Sequence, residues 1–152
     1  MTQIEHEIVD SLRRIVRSID LYSRSLSREY ELTWPQLAAL RELERLKKCP
    51  VGRLAAEMYV GAPTVTGIVD RLERNGLVKR IREEDDRRKV LVALTDEGRR
   101  LLSRNPYLLD EGVCRQLADL PERQQKQMLT SLNRLVSMME AEQGNGSGGN
   151  GD

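Results

Sequence analysis

The chain has one histidine, two cysteines and no phenylalanine in 152 residues. A lone His6 argues against a histidine-based metal site, which needs several imidazole, thiolate or carboxylate ligands. Cys49 and Cys114 are not spaced as a CxxC pair, so two free thiols in a reducing compartment are expected rather than a disulfide. No Ser-His-Asp or Cys-His arrangement and no phosphate-binding glycine loop stands in the sequence. No enzyme activity, cofactor or metal is therefore expected. No apolar run is long enough to span a membrane, and residues 1–5 carry no signal-peptide pattern. A cytoplasmic protein with no membrane partner is expected. Charge of one sign is missing too. Charged residues make up 32% of the chain, yet the net charge is +1. A globally basic nucleic-acid binder is excluded, and any surface for a polyanion must come from local placement of charge. There is no internal repeat.

What is present is mostly helical periodicity in a chain about one domain long. Ile4, Ile8, Leu12, Ile15, Ile19, Tyr22 and Leu26 recur at steps of three and four, with Val9 and Val16 widening the stripe. The spacing predicts a helix over 4–29, roughly 39 Å long at about 1.5 Å per residue. Such a stripe is too long to bury in a small module and needs a partner, either the chain's own C-terminal helices or a second subunit. Thr33, Pro35 and Gln36 form a helix start of the capping-box kind. Leu37, Leu40, Leu43 and Leu46 follow on one side, and Pro50 is expected to end that helix near Cys49.

Residues 53–98 are the most telling. A short helix over 51–59 has Leu54, Ala55 and Met58 inward. Gly61 is expected to supply a turn, and Pro63 opens a second helix running to Asn75. Val65, Ile68, Val69 and Leu72 form its inner side; Asn75-Gly76 is a stop signal. Two strands follow, over 77–82 and 89–94, joined by a loop rich in Glu, Asp and Arg. Helix, turn, helix and charged hairpin is the layout of a winged helix-turn-helix, which places one helix in a DNA major groove.

That layout selects the candidate residues. Packing the apolar side of the second helix inward leaves Thr64, Thr66, Gly67 and Arg71 outward, with Pro63 at its start and Arg74 near its end. Thr and Arg can contact phosphates or base edges, and the helix N-terminus favours a phosphate. Gly67 in mid-helix costs about 1 kcal/mol relative to Ala. Close approach of the backbone to DNA, close helix packing or simple tolerance would each account for it. At the hairpin tip, Arg87 and Arg88 suit a minor groove, where negative potential attracts Arg. Asp86 is expected to orient Arg88 by a charge-assisted bond. A solvated turn with weak surface ion pairs is the alternative.

Thr95 is expected to cap a further helix, with a break at Asn105-Pro106. Helices then resume over 111–117 and from 120 onward, the last carrying Met128, Leu129, Leu132, Leu135, Val136 and Met139 on one stripe. The glycine-rich stretch over 143–152 is expected to be a disordered tail.

The segment resembles the MarR (multiple antibiotic resistance regulator) family of bacterial transcription regulators. The resemblance rests on Leu54-Ala55, Pro63-Thr64-Val65-Thr66, Val69-Asp70-Arg71-Leu72-Glu73, Gly76-Leu77-Val78, Asp86-Arg87-Arg88, and Leu94-Thr95 with Gly98. It extends over about 4–142. It implies a mainly α fold with a small β-hairpin wing, a winged helix-turn-helix flanked by N- and C-terminal dimerisation helices. The corresponding division is one domain over 1–142, with 4–30 and 96–142 as dimerisation helices and 33–94 as the winged module. It further implies a homodimeric repressor on a pseudo-palindromic double-stranded DNA operator. The helix around Thr64, Thr66 and Arg71 would enter the major groove and Arg88, supported by Asp86, the minor groove. Where many relatives carry Arg, this chain has Gly67. Family members often answer to a small-molecule effector bound between dimer core and DNA module; Tyr22, Tyr30, Trp34, Arg41 and Tyr59 are the candidate cleft. The oxidant-sensing branch uses a first-helix Cys, which is absent here. A winged-helix adaptor that binds protein is the alternative function, favoured by the near-neutral charge and the acidic loop.

Overall fold

The computed structural model describes residues 1–104 and 109–146, in two compact units, Met1–Asp110 and Glu111–Asp152. In the first unit, α1 (Gln3–Tyr30) begins at a capping box in which Thr2 and Glu5 satisfy each other's backbone N–H. Only the C-terminal end of α1 meets the core, through Leu26, with Tyr22 and Tyr30 packed beside it. Ile4 remains 70% exposed, and Ile8 and Ile15 are exposed as well. The first unit thus leaves the N-terminal part of the stripe mostly bare.

α2 (Trp34–Leu46) starts at the expected Thr33–Gln36 capping box. Leu37, Ala39, Leu40 and Leu43 are fully buried and form the centre of the core. The helix stops earlier than Pro50 would impose. Lys47 turns to φ 71 and leaves the helical region, and Lys48–Cys49 form a short strand, β1. The cause is tertiary. β1 pairs with β3 (Val90–Leu94) through Lys48↔Ala93 and Cys49↔Val92. That pairing covers an edge of β3 whose buried backbone groups would otherwise lack partners. The expected two-stranded hairpin is therefore a three-stranded antiparallel sheet in the order β1-β3-β2, with β2 spanning Val78–Arg82. β3, as the central strand, is buried from Leu91 to Leu94 without alternation.

α3 (Val51–Met58) and α4 (Ala62–Arg74) pack on α2. The left-handed residue between them is Tyr59 (φ 55), not Gly61, which is an ordinary extended N-cap at φ −63. Val65, Val69 and Leu72 of α4 are fully buried, with Ile68 packed at the margin. Gly76 (φ +74) makes the turn into β2.

α5 (Asp96–Ser103) is anchored to that turn. The Thr95 hydroxyl donates to the Gly76 carbonyl (2.6 Å) and accepts from the Gly98 N–H (3.0 Å), while the Thr95 N–H donates to the Leu77 carbonyl (3.1 Å). Gly98 lies so close that a Cβ there would stand 2.2 Å from the Leu77 oxygen. Of the segment from 96 onward, this first helix thus packs on the winged core, with Leu102 buried. The expected break at Asn105-Pro106 lies outside the described residues.

The second unit holds α6 (Glu111–Asp119) and α7 (Glu122–Gly146). Gln125 ties their junction by donating to the carbonyls of Leu117 (2.8 Å) and Leu120 (3.1 Å). Leu129 (58%), Leu132, Val136 and Met139 on α7 are exposed. α7 continues to Gly146, into the stretch expected to be a disordered tail.

Candidate nucleic-acid interface

α4 and the β2–β3 hairpin bring the candidate residues onto two exposed features of the first unit. Burial of Val65, Val69 and Leu72 turns Pro63, Thr64, Thr66, Gly67, Arg71 and Arg74 outward. No side chain caps α4, so its first-turn N–H groups are open to an anion. The Thr66 hydroxyl donates to the Ala62 carbonyl (2.9 Å), which leaves it an acceptor and a methyl to offer rather than a donor. Gly67 has nothing within 4 Å of the position a Cβ would take. Close packing within this chain is therefore not what requires glycine there.

The acidic residues of this helix are dealt with by a residue that sequence reasoning missed. Arg80, on β2, reaches back to Asp70 (2.6 Å) and Glu73 (2.8 Å), and its backbone N–H donates to the other Glu73 oxygen (3.3 Å). The Arg80 side chain is only 28% exposed. Hydrogen bonds to Asp70 hold its guanidinium even more firmly protonated than usual, against the opposing effect of burial. Such a partly exposed pair contributes little to stability. Its electrostatic effect is to offset one of the two negative charges that α4 carries beside Arg71 and Arg74. The signal in the sequence was the Asp70/Glu73 spacing of three, one helix face; which cation would meet it depended on where β2 crosses.

At the wing, β2 and β3 pair from Val78↔Leu94 to Arg82↔Val90. The tip is closed by Glu83 N–H to the Lys89 carbonyl (3.2 Å) and Lys89 N–H to the Asp86 carbonyl (3.0 Å). Asp86 does not orient Arg88 through its guanidinium. Its carboxylate accepts from the Arg88 backbone N–H (3.0 Å), an Asx turn that shapes the loop. Arg82 adds a bond to the Arg87 carbonyl (2.9 Å). The Arg87 and Arg88 side chains are exposed and make no ion pair among the described residues. The tip is thus a backbone-fixed loop holding two free guanidinium groups outward.

The candidate cleft residues do not behave as one group. Tyr22 and Tyr30 pack against the core, and the Tyr30 hydroxyl donates to the Arg104 carbonyl (3.4 Å). Burial, then the neighbouring Glu29, pushes the Tyr30 phenol up from its ordinary pKa. Trp34 is half-buried at the start of α2, and Arg41 pairs with Glu44 (2.9 Å). Tyr59 stands apart, 90% exposed at the turn between α3 and α4. Cys49 is buried, and burial raises its thiol pKa, which disfavours the reactive thiolate. No helix among the described residues is long and apolar enough to cross a membrane.

Comparison with known proteins gives this geometry its context. The MarR family profile matches residues 32–90. The HTH-type transcriptional regulator YsmB of Bacillus subtilis is 35% identical over 114 residues, covering 70% of this chain and 78% of the relative. The homoprotocatechuate degradative operon repressor of Escherichia coli is 28% identical over 122 residues, covering 80% and 82%. A MarR family transcriptional regulator from Streptomyces coelicolor, solved in complex with DNA, superposes with a TM-score of 0.74 at 26% identity, covering 90% of this chain and 88% of that one.

Proposed function

Since the chain belongs to the MarR family, and is thereby a DNA-binding transcription regulator, we propose that it acts as a homodimeric repressor on a pseudo-palindromic operator. The observation that carries the reading is the charge arrangement on α4 and the wing. Arg80 pairs with both Asp70 and Glu73 and offsets one of their two charges, while Arg71, Arg87 and Arg88 extend outward without an ion pair. A chain of net charge +1 acquires in this way a local cationic face. α4, through Thr64, Thr66, Arg71 and Arg74 with Pro63 at its entry, is the major-groove reader, and Gly67 lets the backbone approach. Arg87 and Arg88 on a loop shaped by Asp86 are the minor-groove contacts.

Dimerisation is supported by the exposed large apolar residues that recur along α1 and along α7. In a dimer, two α4 helices would meet half-sites about one helical turn, ~10 bp, apart. The repressor assignment draws on the E. coli relative, named as the repressor of a degradative operon. Release by a small aromatic effector belongs to the same proposal, with Tyr22, Tyr30, Trp34 and Arg41 as the groups offered for it; Tyr22 and Tyr30 have core packing as their first role. Beyond the near-neutral charge and the acidic loop, nothing adds to the case for a protein-binding adaptor.

The test is binding to the intergenic DNA beside the protein's own gene over a salt series, against scrambled DNA, with the oligomeric state measured by sedimentation. Tight binding that prefers the intergenic site and weakens steeply with salt is the expected result. Equal, weak binding to both DNAs, or a monomer at micromolar concentration, would overturn the operator or the dimer part respectively.

A further inference from the structure

Tyr59 holds a backbone conformation (φ 55, ψ 37) that bulky residues adopt only at a cost. Nothing among the described residues repays it. The side chain is 90% exposed, so it buries little apolar area. Among the described residues it makes no hydrogen bond or ion pair through its side chain. The turn itself is made by main chain, with the Tyr59 N–H bonded to the carbonyls of Ala55 and Ala56. Glycine would serve that turn better than any other residue. The phenol therefore contributes something outside the folded chain.

Its position says what. Tyr59 lies two residues before Gly61, the N-cap of α4, and α4 opens with no side-chain cap and an exposed Thr64. In a helix-turn-helix the start of the second helix is the end nearest the duplex, where the sugar-phosphate backbone runs past. Tyrosine is among the neutral side chains that donate to phosphate oxygens. Of the large hydrophobic residues adjoining it in sequence, Met58 is partly buried and packed on the core and Val60 is 37% exposed.

We propose that Tyr59 is a DNA-backbone contact, its hydroxyl donating a hydrogen bond to a phosphate oxygen beside the groove that α4 enters. The inference rests on the operator-binding reading above and adds to it a residue that fixes position without reading sequence. The experiment compares wild type, Tyr59→Phe and Tyr59→Gly by fluorescence anisotropy on the intergenic and scrambled duplexes, over a salt series, with thermal melts alongside.

Both variants should lose about tenfold in affinity, by a similar factor on the two duplexes. The salt slope should stay at the wild-type value, because no cation is removed. Tyr59→Gly should melt at or above wild type, which separates lost contact from lost fold. Wild-type affinity in Tyr59→Phe overturns the phosphate bond, and so does a loss confined to the intergenic site. If wild type itself binds neither duplex, the operator reading falls and takes this contact with it. If wild type binds and both variants match it, only the Tyr59 contact falls.

Discussion

Replacing Gly67 by alanine separates what the fold needs from what DNA binding needs. The position is in the middle of α4, and a Cβ there meets no atom within 4 Å. No steric term opposes the substitution, so the helix-propensity gain of up to about 1 kcal/mol should appear almost undiminished. For a chain of this size that corresponds to a rise in Tm of roughly 2–4 °C. Melts must be run at one protein concentration, since dimerisation makes Tm concentration-dependent. The same methyl group would stand on the outward face of α4. If Gly67 is there for close backbone approach, operator affinity should fall by about tenfold, on the scale of one lost or displaced contact, while stability rises. Anisotropy on the intergenic duplex reads the first change and circular dichroism the second. An unchanged or lower Tm would refute the open-space argument. A higher Tm with unchanged affinity would show that glycine is merely tolerated.

Gly98→Ala is the opposite case: its Cβ would sit 2.2 Å from the Leu77 oxygen, a backbone atom that cannot rotate away. A loss of roughly 1–3 kcal/mol is expected from overpacking, read as a lower denaturant midpoint; wild-type stability would mean the Gly76–Leu77 turn yields freely. Arg88→Ala should weaken operator binding while sedimentation still shows the dimer, and unchanged affinity at physiological salt would remove the wing from recognition. Arg80→Met should lower affinity about five- to tenfold by exposing the charges of Asp70 and Glu73 to phosphate, and Asp70→Asn with Glu73→Gln in that background should restore most of it; no rescue would assign Arg80 a direct contact instead. Cys49 should react slowly with a thiol reagent at pH 7–8 until the protein unfolds, because its raised pKa keeps the thiolate scarce. Prompt labelling of Cys49 in the folded protein, located by mass spectrometry, would contradict its burial.

The order of elements was legible because local rules set it. The capping box at Thr33, the Pro63 helix start, the Asn75-Gly76 stop and the Thr95 cap each follow from hydrogen bonds within a few residues; the capping box at Thr2 is of the same local kind, though the apolar spacing began that helix at Ile4. Helical periodicity likewise marked Val65, Val69 and Leu72 as the inner side of α4, and so told which side chains face out. Tertiary structure decided what depends on atoms far apart in the chain. Lys48 and Cys49 became a strand because the edge of β3 needed partners. Arg80 met Asp70 and Glu73 because β2 crosses beside α4. The left-handed turn fell on Tyr59 rather than Gly61 because the packing of α3 against α4 set where the chain reverses, and sequence preference for glycine did not. Local chemistry named the parts of this protein; non-local pairing determined which charges are paired and which are left to act.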